Sequence, residues 1–171
     1  MSKRDLKKYL NELNKEQLEE QIVTLYDKFP EVKIFYDFVF KPNEIKLLRE
    51  FKFKVSNEYY PVKSKKVKAR RSVAQKMIKH FICLGVDPFV IADSMLYSIE
   101  IGQTYSSEKE IKQDLFFKSM LNSFQQAISF IIENGILYDF KYRVEAIRAE
   151  AESQEWFNLF EFNAIVEKLD Y

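Results

Sequence analysis

The chain has 171 residues, 47% of them apolar, 31% charged and 16% aromatic, with a formal net charge of +1. That length fits one domain, and sixteen Phe and ten Tyr supply enough apolar area for a sizeable core. A single cysteine, Cys83, leaves no internal disulfide and no cysteine-based metal cluster.

The charge is unevenly placed. Residues 1–86 hold 20 Lys+Arg against 11 Asp+Glu, whereas residues 87–171 hold 7 against 15. The start, Met1-Ser2-Lys3-Arg4-Asp5, is charged and has no apolar run, so no signal peptide is expected. The most apolar stretch, Phe81 to Gly102, is broken by Gly85, Asp87-Pro88 and Asp93, which argues against a membrane span. A soluble, cytoplasmic protein without membrane partners is the expectation.

Taken in chain order, apolar residues recur at helical spacing. Leu6, Tyr9, Leu10 and Leu13 mark a first helix. Leu18, Ile22, Leu25, Tyr26 and Phe29 mark a second, and Val32, Phe35, Tyr36 and Val39 a third. A fourth runs from Pro42 to about Tyr60. Within it Phe51-Lys52-Phe53-Lys54-Val55 alternates like a short strand, but no neighbour could pair with it. Val73, Met77, Phe81 and Leu84 give the fifth helix, and Phe89, Ala92, Leu96 and Ile99 the sixth. The longest spans about 107–134, Leu137 to Ile147 carry the eighth, and Trp156 to Leu169 the last.

Punctuation agrees with this pattern. Gly85, Gly102 and Gly135 each follow an apolar-periodic run, where a left-handed residue closes a helix. Pro30, Pro42 and Pro88 precede such runs, and Pro61 ends one. Capping-box patterns stand at Asn14-Lys15-Glu16-Gln17, Ser72-Val73-Ala74-Gln75 and Ser107-Glu108-Lys109-Glu110. The reading is an all-α fold of about eight or nine mostly antiparallel helices, as a bundle or a short HEAT-like array of helical hairpins. It forms a single domain over 1–171, with a subdomain hinge placed near 61–69.

Six cations fall in nine residues: Lys63, Lys65, Lys66, Lys68, Arg70 and Arg71. On the following helix Lys76 and Lys79 extend them along the outer face. Such a run reads as an anion or nucleic-acid site, with Tyr59 and Tyr60 placed to stack on unpaired bases. It reads more readily as a solvated stretch facing the acidic half, with Glu100, Glu108, Glu110 and Asp114 as partners for the arginines. If the helix begins at Ser72, Arg70 and Arg71 oppose its dipole, and an anion there relieves the conflict.

Catalytic signals are incomplete. His80 is the only histidine and lacks a nucleophile or second His at useful spacing. Asp93 and Glu100, seven apart on the sixth helix, share a face and with His80 form the one polar cluster worth inspecting. No residue is assigned as catalytic or as a metal ligand, and no cofactor is expected, since three isolated glycines cannot cradle a phosphate. Trp156, Phe157, Phe160 and Phe162 form an aromatic cluster that closes the core or offers a docking patch.

Several segments, read together, resemble a known family. They are Ser2-Lys3-Arg4-Asp5-Leu6-Lys7-Lys8-Tyr9-Leu10, Lys15 to Ile22, Lys68-Ala69-Arg70-Arg71-Ser72-Val73-Ala74-Gln75-Lys76, Ile78-Lys79-His80-Phe81, Gly85-Val86-Asp87-Pro88 and Glu133-Asn134-Gly135. The chain resembles an uncharacterised bacterial family of helical proteins, domain of unknown function 6155, over essentially its whole length. The resemblance implies a soluble bacterial protein of one domain and brings no catalytic residue, cofactor or partner. The functional expectation is a non-enzymatic protein-interaction or scaffold protein, binding another protein or itself. Nucleic-acid binding through 63–79 is the alternative, and an enzyme a distant third.

Overall fold

The computed structural model describes residues 2–63 and 66–169. The described residues contain nine α-helices and no strand: α1 (Lys3–Asn11), α2 (Lys15–Lys28), α3 (Pro30–Phe40), α4 (Glu44–Tyr59), α5 (Arg71–Leu84), α6 (Pro88–Glu108), α7 (Asp114–Glu133), α8 (Leu137–Ser153) and α9 (Leu159–Val166). The fold is all-α, and the Phe51–Val55 segment is helix. No described helix is long and apolar enough to cross a membrane.

The chain divides into two compact units, one up to Asn43 and one from Glu44 onward. The segment near 61–69 lies inside the second unit.

The first unit is held by local signals. Ser2 and Asp5 form a capping box on α1, and Asn14 and Gln17 form one on α2. Pro30 opens α3 directly after Phe29. Helices α2 and α3 pair through Tyr26, whose hydroxyl donates to Asp37 Oδ1 at 2.8 Å and whose ring lies 6.5 Å from Tyr36. Tyr9 and Gln21 hydrogen-bond between α1 and α2. No residue of these three helices is buried.

The second unit has its core along α6, which packs against α4, α5, α7 and α8, while α9 lies on α7 and α8. Ala92, Leu96 and Ile99 of α6 are fully enclosed, together with Phe51, Phe124, Ile131, Val144 and Phe162. All of these but Ala92 are large enough to contribute about 1.5–3 kcal/mol each on burial. Gly85 and Gly135 close α5 and α7 with φ of 70° and 69°, as their positions after apolar runs imply. Gly102 does not end a helix. It lies inside α6, where an added Cβ would stand 2.8 Å from Met120 Sδ, so its missing side chain lets α6 and α7 approach closely.

Three start signals are misplaced, Pro42 and Ser72 by two residues and Ser107 by more than a turn. Pro42 stands before α4 and outside its first turn. Ser72 is a helical residue, because α5 already begins at Arg71. Ser107 sits in the last turn of α6, donating to Thr104 O, and α7 starts at Asp114.

Candidate functional site

The basic run leaves α4, crosses a loop and enters α5. Lys63, Lys66 and Lys68 are exposed there, as are Lys76 and Lys79 on α5. Lys65 lies outside the described residues.

The two arginines are not equivalent. Arg70 grips Glu58 with Nε at 2.9 Å and Nη2 at 2.8 Å, and its backbone N–H reaches the same carboxylate at 3.3 Å. Hydrogen bonds from Arg70 hold the Glu58 carboxyl below its usual pKa against the opposing effect of burial. The Glu58 carbonyl also accepts from the N–H groups of Lys68 and Ala69. This clasp holds Ala69 at φ 46°, a left-handed conformation costly for alanine. It also explains the early start of α5: Arg70, fixed by Glu58, takes the N-cap position with no side-chain cap.

Arg71 turns the other way, across to α7. Its Nε donates to Ser123 Oγ at 2.6 Å and its Nη2 to Gln126 Oε1 at 3.2 Å. The Gln75 amide, oriented by its neighbours, places its oxygen 2.8 Å from Nη2 and 3.3 Å from Nη1. All these acceptors are neutral. Burial lowers the Arg71 pKa, with Tyr59 acting weakly the other way.

Neither arginine meets Glu100, Glu108, Glu110 or Asp114, so pairing of the arginines with the acidic half does not occur. The acid that counts, Glu58, lies in the basic half. The expected relief of the helix dipole comes from Glu58 at Arg70, while Arg71 has no carboxylate.

Asp93 and Glu100 do share a face of α6, and what joins them is Arg143 of α8. Its Nε and Nη2 hold the two Glu100 oxygens at 2.8 and 2.9 Å, and Nη1 holds Asp93 Oδ1 at 2.6 Å. Lys52 of α4 completes the cluster, 2.8 Å from Asp93 Oδ2. Burial works against the Arg143 charge, but the two carboxylates outweigh it and raise its pKa above the usual value. Both acids are thus committed to a structural ion network. His80 is exposed on α5 and bonds to neither carboxylate, so the proposed triad of His80, Asp93 and Glu100 is only the latter pair.

Other sequence candidates resolve simply. Trp156 and Phe162 are core residues, packed with Phe117 and Phe124, whereas Phe157 and Phe160 are exposed. Cys83 is exposed. Among the described residues no group of three or more His, Cys, Asp or Glu is placed to hold a metal ion.

Two concavities lie beside the basic segment. One, of about 690 Å³, is lined by Tyr59, Tyr60, Lys63, Tyr105 and Lys109. The Tyr60 ring stands edge-on to Tyr105 at 6.0 Å, and its hydroxyl donates to Glu108 at 3.2 Å. The other, of about 490 Å³, is a groove between α5 and α7 with Ile78, Ile82, Met95 and Phe130 among its apolar walls.

Arg143, Glu58, Ser123 and Gln126 have no sequence signal as site residues. The one hint was composition: Glu58 is among only three acids in the strongly cationic stretch 44–86.

The chain matches the family of unknown function DUF6155 over residues 1–170, and it belongs to that family. No curated protein and no solved structure gives a match.

Proposed function

We propose that the chain is a non-enzymatic protein-interaction or scaffold protein of the bacterial cytoplasm, and that α1–α3 carry the contact with another protein or a second copy. The observation behind this is α3. Val32, Ile34, Phe35, Tyr36, Phe38, Val39 and Phe40 make it apolar on nearly every side, a composition that belongs in an interior. Yet none of its residues is buried, and Ile34, Phe35, Val39 and Phe40 are exposed. Across the unit, ten large apolar side chains are exposed, among them Ile22, Leu25 and Phe29. A segment of about 40 residues without a core does not hold itself together by burial, and its exposed apolar side chains are free to meet a partner surface. The commitment of Asp93 and Glu100 to Arg143 weighs against general acid–base chemistry at that pair.

The test is in-cell photo-crosslinking from position 35, with exposed Ile132 of α7 as the control position. Discrete adducts with a second polypeptide, specific to position 35 and lost on Phe40→Ser, are expected. Crosslinks confined to the chain's own residues would overturn the reading.

A second reading, nucleic-acid binding through 63–79, draws on the tyrosine-lined hollow with Lys63 and Lys109 at its edge. It requires binding of single-stranded RNA or DNA that weakens steeply with salt and is lost in a Tyr60→Ala, Lys63→Ala, Lys68→Ala variant. Salt-independent or unaltered binding eliminates it.

A further inference from the structure

Helices α5 and α7 both pack on α6, and the groove between them has Met95 of α6 in its lining. Ile78 and Ile82 form one wall and Phe130 the other, with the amides of Gln75 and Gln126 along the rim. Ile82, outside the buried face of α5, is 48% exposed and leaves an apolar side chain open in the groove. A layer of two helices seated on a third with an apolar slot between them is the geometry that accepts another amphipathic helix.

Charge says what kind of helix. At one end of the groove Arg71 contributes to a small adjoining recess with Gln75, Ile78, Met95 and Gln126. Its donors end on Ser123, Gln126 and Gln75, so a half-buried guanidinium is solvated by neutral oxygens alone. Its neighbour Arg70 is already neutralised by Glu58, so of the two arginines only Arg71 is without a carboxylate. Two turns further along, Lys79 lines the same groove and has no ion pair among the described residues. Eight residues on a helix rise about 12 Å. A helix lying along α5 meets both cations if it carries two acids seven or eight residues apart. Glu133, on the opposite wall, disfavours a third acid at that end.

We propose that the α5–α7 groove is a docking site for an acidic amphipathic helix of a partner protein, with aliphatic anchors over Ile78, Ile82, Met95 and Phe130 and two carboxylates spaced to reach Arg71 and Lys79. It extends the interaction reading to a second surface and does not depend on α1–α3. Failure of crosslinking at position 35 leaves it standing, and its own failure leaves that reading standing.

The experiment is selection of a displayed library of 16-residue amphipathic helices on the full chain, followed by fluorescence anisotropy with the enriched peptides. Enrichment of an aliphatic stripe with Asp or Glu at i and i+7 or i+8 is expected. Replacing either acid by Gln should weaken binding about tenfold, the size of one charge-assisted contact of roughly 1.4 kcal/mol. Arg71→Gln should remove the preference for the first acid, with retained folding checked by thermal melting. Lys79→Glu, at an exposed position, should invert the preference for the second acid and be rescued by Lys in the peptide. Lys76→Gln, outside the groove lining, should change nothing. No enrichment, peptides indifferent to Arg71→Gln and Lys79→Glu, or selection of basic helices would overturn the proposal. So would displacement of the peptides by short RNA at equal affinity, which would make the groove part of a polyanion surface.

Discussion

Helices α3 and α6 are both rich in apolar residues, yet they end in opposite environments. In α6, Ile91, Ala92, Leu96 and Ile99 are at most 3% exposed, because four other helices of the second unit surround them. In α3, with its three phenylalanines, no residue is buried. Apolar composition forms a helix readily, but burial needs neighbours, and the first unit supplies only α1 and α2. Its order comes from caps, a proline start and the Tyr26–Asp37 bond, while that of the second unit comes from a packed core. The first unit is also neutral, with 8 Lys+Arg and 8 Asp+Glu before residue 44, so the charge asymmetry of the chain resides wholly in the second.

The same chemical change should therefore have very different effects in the two units. Phe124→Ala, at a fully enclosed site of α7, should destabilise by about 3–5 kcal/mol in denaturant unfolding. Phe35→Ala should cost under about 1 kcal/mol, since that ring is 38% exposed. An equal loss at both positions would mean that α3 is covered in solution, and the contrast would fail.

Alkali gives the next largest effect, confined to the second unit. Tyr59, at the end of α4, is buried, and that burial, aided by Glu58, pushes its hydroxyl up to about 12 from 10. A raised folded pKa means that the neutral hydroxyl is favoured in the fold. Its contribution is complete below pH 10 and is lost as pH climbs from 10 through 12. Stability should fall by about 2 kcal/mol across that window. Tyr59→Phe should flatten this limb of the pH profile. A profile identical to that of the unaltered chain would show that other groups carry it.

Removing Arg143 ranks third. Arg143→Ala strands Glu100 and leaves Asp93 with Lys52 alone, and the expected loss is about 1–2 kcal/mol, below the figure for fully buried networks because the side chains of Arg143, Asp93 and Glu100 keep some solvent contact. The double variant Arg143→Leu, Glu100→Leu should recover part of it, as apolar replacements of ion pairs often do. Recovery to no degree would point to a role for Glu100 beyond packing.

The parts of this structure that are readable from sequence are those determined within one or two turns. Asn14–Gln17, Pro30, Pro88, Gly85 and Gly135 all act on their own helix ends, and all stand where their patterns put them. The misreadings have tertiary causes. Gly102 resembles a terminator but serves contact with Met120, and Ser72 loses its cap role because Glu58, fourteen residues earlier, fixes Arg70. At the site level, the shared face of Asp93 and Glu100 follows from their spacing. Their partner Arg143 is 43 residues beyond Glu100, where no periodicity reaches. Likewise the run of cations is plain in the sequence, but the separate fates of Arg70 and Arg71 depend on two different helices, α4 and α7.

The smallest effect tests whether the two units respond independently to acid. In the first, backbone and side-chain hydrogen bonds from Ser2 hold the Asp5 carboxyl below its usual 3.8. In the second, Arg70 holds Glu58 below its usual 4.5. A depressed carboxylate pKa contributes stability that is complete above the unfolded value and disappears as pH drops through the folded one. Amide shifts of α1 should therefore move below pH 3.8, and those of residues 68–71 below pH 4.5. Asp5→Asn should erase the first response and leave the second, and Glu58→Gln the reverse. The Arg71 contacts with Ser123 and Gln126 should persist through both transitions, because their acceptors carry no titratable charge. If the two regions titrate together and each substitution abolishes both responses, α1 and the Glu58 clasp belong to one cooperative structure, and the distinction between a locally ordered unit and a core-ordered one collapses.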